Sequence, residues 1–185
     1  VQTCALPILE ALRHAFQLDD YAVTGKLTGE FHLTGEYRRP VGFGAMTIDA
    51  GTAYGEPFET AQSSLRFDGD GVRLDGATIA MNGGTITGAA FVGWDGTYAF
   101  NAVGRRLPVE RVAAFSALPV RPFGLIEFTA EGSATFAEPR YGVRFRVNDL
   151  FVGEEGVGQV TGTLQVRNNA LTGEVEVASP RLALT

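Results

Sequence analysis

Residues 21–37 alternate strictly between two kinds of side chain, and this alternation constrains the fold more than any other feature of the sequence. The odd positions are apolar or glycine throughout, and every even position except Ala22 is polar. A period of two predicts a β-strand with one apolar and one polar face. At about 3.3 Å per residue the unbroken strand would reach about 55 Å, whereas ordinary strands have about 5–6 residues. The stretch therefore predicts an unusually long strand in a broad sheet.

The same alternation recurs along most of the remaining chain and is punctuated by turn signals. Asp68-Gly69 and Asn82-Gly83 are dipeptides that favour tight hairpin turns. The apolar positions change phase near Gly76, which predicts a β-bulge. A chain with 24 glycines and 13 phenylalanines suits many strands joined by short turns. We therefore expect an all-β protein, built from a long, curved, antiparallel sheet.

Two segments depart from the alternation and predict short helices. Residues 9–18 carry Leu9, Leu12 and Phe16 on one helical face. The segment near 108–118 opens with Pro108, a residue that suits the first turn of a helix.

An internal repeat divides the chain. When Pro40 is aligned with Pro139, Leu27 falls on Ile126 and Leu65 falls on Leu164. The repeat predicts a first β-repeat with flanking helices over residues 9–118 and a second, truncated one over 119–185. Because the second copy stops earlier in the pattern than the first, we expect the natural chain to continue beyond Thr185.

Residues 1–8 do not fit this organisation. They resemble the in-frame translation of a common sequencing-library adapter, so we interpret them as a non-native artefact, with natural sequence missing upstream. The single cysteine, Cys4, lies in this segment. The remaining chain therefore offers neither a disulfide framework nor thiol chemistry.

Charge and motifs exclude several classes of function. A net charge of −6 disfavours a nucleic-acid partner, because phosphates are bound by clustered cations. His32 with Glu30 and Glu36 could ligate a metal, but a solvated strand face explains them more simply. Asp68 and Asp70 open no EF-hand loop, since position 72 is valine. No nucleophile elbow or phosphate loop occurs, and we expect no enzyme activity, metal or cofactor.

The apolar face itself is the remaining functional feature, and two interpretations of it stay open. In a β-sandwich it would pack against a second sheet about 10 Å away. In an open groove it would stay accessible. The length of the first strand and the repeat favour the groove. Glycines on the same face also favour it, because they permit strong curvature. These are Gly25, Gly29, Gly35, Gly88, Gly132 and Gly162.

Three phrases resemble the repeat region of AsmA-like proteins, the group that includes TamB. They are Leu-Thr-Gly-Glu-Phe-His-Leu-Thr-Gly at 27–35, the run from Gly71 to Gly88 that ends Asn-Gly-Gly-Thr-Ile-Thr-Gly, and Leu-Pro-Val-Glu-Arg-Val at 107–112. The resemblance covers residues 20–185. It implies a β-taco-like trough in the periplasm, anchored to the inner membrane by a segment outside this fragment. It also implies that the trough carries phospholipid between the inner and outer membranes, or assists outer-membrane assembly.

The resemblance further implies the partners and the residues that would meet them. The partners would be phospholipid acyl chains, neighbouring repeats of the same chain and an outer-membrane barrel protein. The alternative function is a structural or adhesive β-repeat module of a secreted bacterial surface protein; a glycan-active enzyme has little support. The predicted lipid-facing residues are Tyr21, Val23, Leu27, Phe31, Leu33, Tyr37, Leu65, Phe67, Tyr98, Phe100, Phe128, Phe136, Val143, Phe145, Val147, Val160, Leu164, Val166, Val175 and Val177.

Overall fold

The structure is a computed structural model that describes residues 22–115, 118–168 and 170–179. These residues form one antiparallel sheet of ten strands, in which each strand pairs with the next along the chain. The all-β prediction is confirmed. The strands are β1 (Val23–Glu36), β2 (Arg39–Ala53), β3 (Glu56–Asp68), β4 (Gly71–Met81), β5 (Gly84–Gly93), β6 (Thr97–Pro108), β7 (Pro122–Thr135), β8 (Arg140–Val152), β9 (Glu155–Arg167) and β10 (Ala170–Ala178).

The long alternating stretch at the start of the chain forms β1, a strand of 14 residues. β2 is longer still, with 15 residues. The predicted helix over 9–18, the segment 1–8 and Tyr21 lie outside the described residues.

The predicted helix near 108–118 is wrong. The chain continues as β6 to Pro108 and then makes two 3₁₀ turns, Val109–Arg111 and Ala113–Phe115, separated by the extended residue Val112. The reason is a set of tertiary contacts. This link joins two strands that are neighbours in the sheet, and Val109 packs against the sheet face. Packing of this kind overrides the local preference for a short helix, which is marginal at such a length.

The predicted turns and the predicted bulge are present. Asn82 and Gly83 have φ values of 56° and 85°, the two positive values that a two-residue hairpin turn requires. The register between β4 and β5 shifts between Leu74 and Ala77, with Gly76 at φ 63°. The apolar residues of β4 occupy even positions before Gly76 and odd positions after it. Because the bulge adds one residue between them, both groups lie on the same face of the sheet.

The sequence repeat is also a structural repeat. β7 begins at Pro122 where β1 begins at Val23, and β9 begins at Glu155 where β3 begins at Glu56, a separation of 99 residues in both cases. The pairs Leu27–Ile48 and Ile126–Val147 show the same register in the two copies. The division into residues 9–118 and 119–185 stays a prediction, and β6 pairs directly with β7, so one sheet runs across it.

No second sheet covers the first within the described ranges, where all ten strands belong to one sheet. A β-sandwich is therefore not what these residues form. Burial agrees with a single layer, because none of their side chains is less than 2% exposed. Apolar side chains are instead shielded by their neighbours on the same face.

Aromatic rings lying over glycines provide much of this lateral shielding. A Cβ atom built on Gly104 would lie 2.2 Å from the Phe128 ring, and one on Gly162 would lie 2.6 Å from the Phe145 ring. Both glycines sit directly opposite the aromatic residue on the neighbouring strand. The sequence predicts that glycines on this face allow curvature; in the structure they also leave the space that the rings occupy.

Replacing one of these glycines should therefore destabilise the sheet. Gly162→Ala would place a methyl group against the Phe145 ring and the Glu174 carbonyl. We expect a loss of about 1–3 kcal/mol in the free energy of unfolding, the usual cost of overpacking. Chemical denaturation would measure it.

Gly142→Ala is the matched control. Gly142 also lies within a strand, as the third residue of β8, but a Cβ there would meet only the Leu164 carbonyl, at 3.9 Å. Its stability should change by less than about 0.5 kcal/mol. Equal effects of the two substitutions would contradict the packing of rings over glycines.

Candidate functional site

Register places the apolar positions of all ten strands on one side of the sheet, because directly opposed residues of antiparallel strands share a face. One row across it reads Leu27, Ile48, Ala61, Ile79, Ile86, Gly104, Phe128, Phe145, Gly162 and Val175. A second row on the same side begins four residues farther along β1. It reads Phe31, Gly44, Leu65, Leu74, Ala90, Phe100, Gly132, Tyr141, Val166 and Leu171. We call this side the apolar face, and the opposite side the polar face.

Most predicted lipid-facing residues lie on the apolar face. Sixteen of them share it by register: Leu27, Phe31, Leu33, Leu65, Phe67, Tyr98, Phe100, Phe128, Val143, Phe145, Val147, Val160, Leu164, Val166, Val175 and Val177. Whether they contact lipid stays a prediction.

The other predicted residues are placed differently. Tyr37 is in the turn after β1 and is 90% exposed, so it does not belong to the face. Val23 opposes Ala53, beyond a register shift in β1. Phe136 follows β7, and its ring centroid is 5.2 Å from that of Tyr98, which places it at the margin of the apolar face. Tyr21 lies outside the described residues.

Several residues of the apolar face are absent from the predicted lipid-facing set. Ile79 and Ile86 oppose each other across the Asn82-Gly83 turn, so the hairpin register would have added both to it. Ile48 is harder to find, because β2 carries Val41 and Phe43 on the polar face and the alternation there is blurred. Such residues become visible only once the pairing partner is known.

Aromatic side chains cluster along one end of the apolar face. The centroid of the Tyr98 ring is 6.1 Å from that of Phe100, which is 6.4 Å from Tyr141. The Tyr98 hydroxyl accepts a hydrogen bond from the Arg140 N–H at 2.9 Å and lies 3.3 Å from the Arg140 carbonyl. Its polar atom is therefore satisfied by backbone, leaving the ring as an apolar surface.

Ser63 is a polar side chain of β3 that lies on the apolar face, between Ala61 and Leu65. It is buried, and its hydroxyl donates to the carbonyl of Ser64 at 3.0 Å or of Asp75 at 3.3 Å. These carbonyls lie beside the β3–β4 register shift. Since the hydroxyl is satisfied locally, it presents no free donor to a molecule on the face.

One end of the apolar face is covered by the link between β6 and β7. Val109 is only 3% exposed and packs in one cluster with Val147 and Val160. Farther along the link, the Ala113 N–H donates to the Glu56 carboxylate at 2.9 Å, and the Asn82 side chain donates to the Arg111 carbonyl at 3.2 Å. The link is thus fixed to both copies of the repeat. Two predicted groove residues, Val147 and Val160, are covered by it.

The polar face carries charged side chains in local pairs. Arg66 contacts Asp75 at 2.8 Å and Arg73 contacts Asp68 at 3.1 Å. Exposed pairs of this kind contribute little to stability. His32 lies 3.2 Å from Glu30. The part of the chain that the structure describes contains no group of three or more metal-ligating side chains.

Two hairpin carboxylates have lowered pKa values. The Thr97 hydroxyl donates to Asp95 at 2.7 Å and the Thr97 N–H donates at 3.0 Å, and these bonds lower the pKa of Asp95. Desolvation raises the pKa of Asp68, but hydrogen bonds from Asp70, Arg73 and Gly71 outweigh it and leave the pKa lowered. Both sets of hydrogen bonds stabilise the folded chain at pH values above the ordinary carboxyl pKa. This stabilisation is lost as the pH falls through the lowered pKa. These bonds stabilise turns and suggest no catalysis.

Comparison of the chain with protein families, with curated proteins and with solved structures gives no match. No helix among the described residues is long and apolar enough to cross a lipid bilayer.

The covering role of Val109 can be tested by truncation. Val109→Ala should lower the free energy of unfolding by about 1–2 kcal/mol, because it removes most of a buried valine side chain. The control is Val120→Ala in the same link, where the side chain is 48% exposed and the change should stay within about 0.5 kcal/mol. Thermal or chemical unfolding would measure both, and a Val120→Ala effect as large as that of Val109→Ala would contradict the packing described here.

Proposed function

We propose that this chain is a groove segment of an AsmA-like cell-envelope protein and that its apolar face carries phospholipid acyl chains. The observation that supports this most is the apolar face itself, which runs without interruption across ten strands. Apart from the link at one end, no described element covers it.

Exposure on the face is highest on the two outermost strands. Phe31 and Leu33 of β1 are 44% and 46% exposed, and Leu171 and Val175 of β10 are 65% and 59% exposed. Within the sheet the same face is more closely packed, and Leu65 is 7% exposed. Exposed apolar side chains grouped on one surface are typical of a binding site. With strands about 4.8 Å apart, the nine spacings of the sheet give a row of roughly 43 Å.

The chemistry of the face suits an acyl chain. Backbone donors and acceptors of β2 to β9, which have a neighbouring strand on both sides, are used in the strand ladders. The Ser63 and Tyr98 hydroxyls have backbone partners. An acyl chain offers no hydrogen bonds and requires none. Burial of each CH₂ group contributes about 0.8 kcal/mol, so a chain of about sixteen carbons would gain on the order of 10 kcal/mol before ordering costs.

The sequence resemblance provides the cellular setting of the proposal. The protein would act in the periplasm, anchored to the inner membrane by a segment outside this fragment. It would pass phospholipid towards the outer membrane, or assist outer-membrane assembly together with a barrel protein. No catalyst is required, because transfer along an apolar surface makes and breaks no covalent bond.

A matched pair of substitutions on the two faces tests the proposal. Phe31 and Phe43 lie on neighbouring residue pairs of the β1–β2 ladder, Phe31 on the apolar face and Phe43 on the polar face. Phe31→Asp should weaken binding of a fluorescent phospholipid by about tenfold or more, because a carboxylate beside an acyl chain loses hydration. Phe43→Asp should change it by less than about twofold.

Thermal unfolding of both variants separates binding from folding. Both should fold, since Phe31 is 44% and Phe43 is 62% exposed. Equal loss of lipid binding in the two variants would contradict the assignment of the apolar face. Unfolding of Phe31→Asp alone would show that the face is a sealed core, as in the structural-module alternative.

A further inference from the structure

We propose that Arg105, Arg144 and Arg146 bind the phosphate group of a phosphomonoester on the polar face of the sheet. The three side chains line one cavity of about 370 Å³, together with Glu127 and Thr129 among others. The cavity lies over β6, β7 and β8, strands that are paired on both sides inside the sheet. Because it is on the opposite side from the apolar face, the proposal does not depend on lipid carriage there.

Strand pairing places Arg144 and Arg146 side by side on the polar face. Arg146 opposes Glu127 and Arg144 opposes Thr129 in the β7–β8 ladder. The two arginines flank Phe145, which belongs to the apolar face, so both belong to the opposite one. Two positions apart on one strand, their Cα atoms are about 7 Å apart.

Arg105 approaches the same place from the other side of β7. It opposes Thr85 of β5, and the bulge that follows it, with Arg106 at φ 56°, lies against Glu127. Glu127 therefore has an arginine on each neighbouring strand, Arg105 on β6 and Arg146 on β8. With strands about 4.8 Å apart, these two positions are about 10 Å apart, a gap that two arginine side chains can close on one anion.

The guanidinium groups of the cavity have donors to offer. Elsewhere on the sheet, Arg66 and Arg73 each contact an aspartate, at 2.8 Å and 3.1 Å. Within the described ranges, none of the three arginines of the cavity forms an ion pair or a side-chain hydrogen bond. Each guanidinium has five N–H donors in a planar fork that matches a phosphate or carboxylate group.

The internal repeat shows that the sheet does not need these arginines. Ala45 and Thr47 precede Arg144 and Arg146 by 99 residues and occupy the same places in the β1–β2 ladder. The first copy thus forms the same strand pairing without cations at these positions. Neighbouring like charges repel and destabilise the folded state, so the arginines of the second copy are better explained by a ligand than by the fold.

Charge complementarity selects the class of ligand. Three arginines and Glu127 give the cavity a net charge of +2. A phosphomonoester carries about −1.5 to −2 at pH 7 and offers three acceptor oxygens. A phosphodiester carries one negative charge and would leave the cavity positive. Glu131 lies on the same face but lines the adjoining cavity.

Methyl phosphate and dimethyl phosphate are matched soluble probes without an acyl chain. Near neutral pH, methyl phosphate should bind the 185-residue chain at least about fivefold more tightly than dimethyl phosphate, because it carries up to twice the charge. Titration calorimetry or NMR chemical shifts would measure both affinities.

Substitutions in the cavity should change this affinity in opposite directions. Arg144→Gln and Arg146→Gln should each weaken methyl phosphate binding by about five- to tenfold. Glu127→Gln should strengthen it by about two- to fivefold, because it removes a negative charge beside the phosphate. Arg66→Gln is the control on the same face, where the guanidinium contacts Asp75, and should change binding by less than about twofold.

Thermal unfolding separates a binding role from a structural one. Without ligand, Arg144→Gln and Arg146→Gln should unfold at the temperature of the parent chain or slightly above it, because each relieves repulsion. Methyl phosphate should raise the unfolding temperature of the parent chain and have little effect on that of either variant.

Vesicles distinguish a lipid headgroup from a free phosphomonoester. Phosphatidylcholine vesicles would contain either phosphatidic acid, a monoester, or phosphatidylglycerol, a diester, at matched surface charge. For a lipid headgroup, Arg144→Gln should weaken binding to the phosphatidic acid vesicles selectively. For a soluble ligand, Arg144→Gln should weaken methyl phosphate binding alone. Phe31→Asp, on the apolar face, should leave methyl phosphate binding unchanged, so that this proposal and lipid carriage fail separately.

Three results would overturn the proposal. The first is no binding of methyl phosphate up to about 50 mM. The second is equal affinity for methyl and dimethyl phosphate. The third is a loss of binding in Glu127→Gln as large as that in Arg144→Gln, which would show that the carboxylate holds the arginines in an internal ion-pair network.

Discussion

In a single-layer sheet, an apolar side chain has neighbours at its sides but nothing above it, and this limit governs the rest of the structure. Phe128 and Phe145 respond to it by lying over Gly104 and Gly162 on adjacent strands. Each ring buries part of its own surface and covers backbone that would otherwise meet water. Burial obtained this way remains partial, which explains why the described residues include large apolar side chains at intermediate exposure but none that is fully buried.

Register is what turns this local packing into a continuous surface. A slip of one residue at any strand pair would move its apolar side chains to the polar face. The bulge at Gly76 prevents this outcome in β4, where the alternation changes phase within the strand. Ala50 and Asp149, 99 residues apart, both adopt positive φ values close to 50°, so the two repeats bend their second strands at the same position. The repeat therefore preserves irregular features as well as strand lengths.

The sequence predicted the sheet well and the link between the repeats poorly. Strict alternation over β1, β7 and β9 is a local property, and it identified their strands and faces directly. The pairing of Ile48 with Ala61 depends on the register between two strands. The sequence of β2 alone does not predict it, because the apolar residue Phe43 lies on the polar face and interrupts the alternation. The helix predicted near 108–118 failed because the environment of Val109 is decided by Val147 and Val160, about 40 and 50 residues farther along the chain. The face was predictable from period two; its covering at one end depends on contacts distant in sequence.

The central claim is that the apolar face is open to an acyl chain while the polar face faces water. A photoreactive phenylalanine analogue at Phe100, on the apolar face, and at Phe91, on the polar face beside Arg73, would test it in the presence of phospholipid vesicles. The account predicts lipid adducts, seen by mass spectrometry, at position 100 and at most a tenth as many at position 91. Adducts at position 100 that join only protein residues, with no lipid, would show that another layer covers the face and would contradict the account.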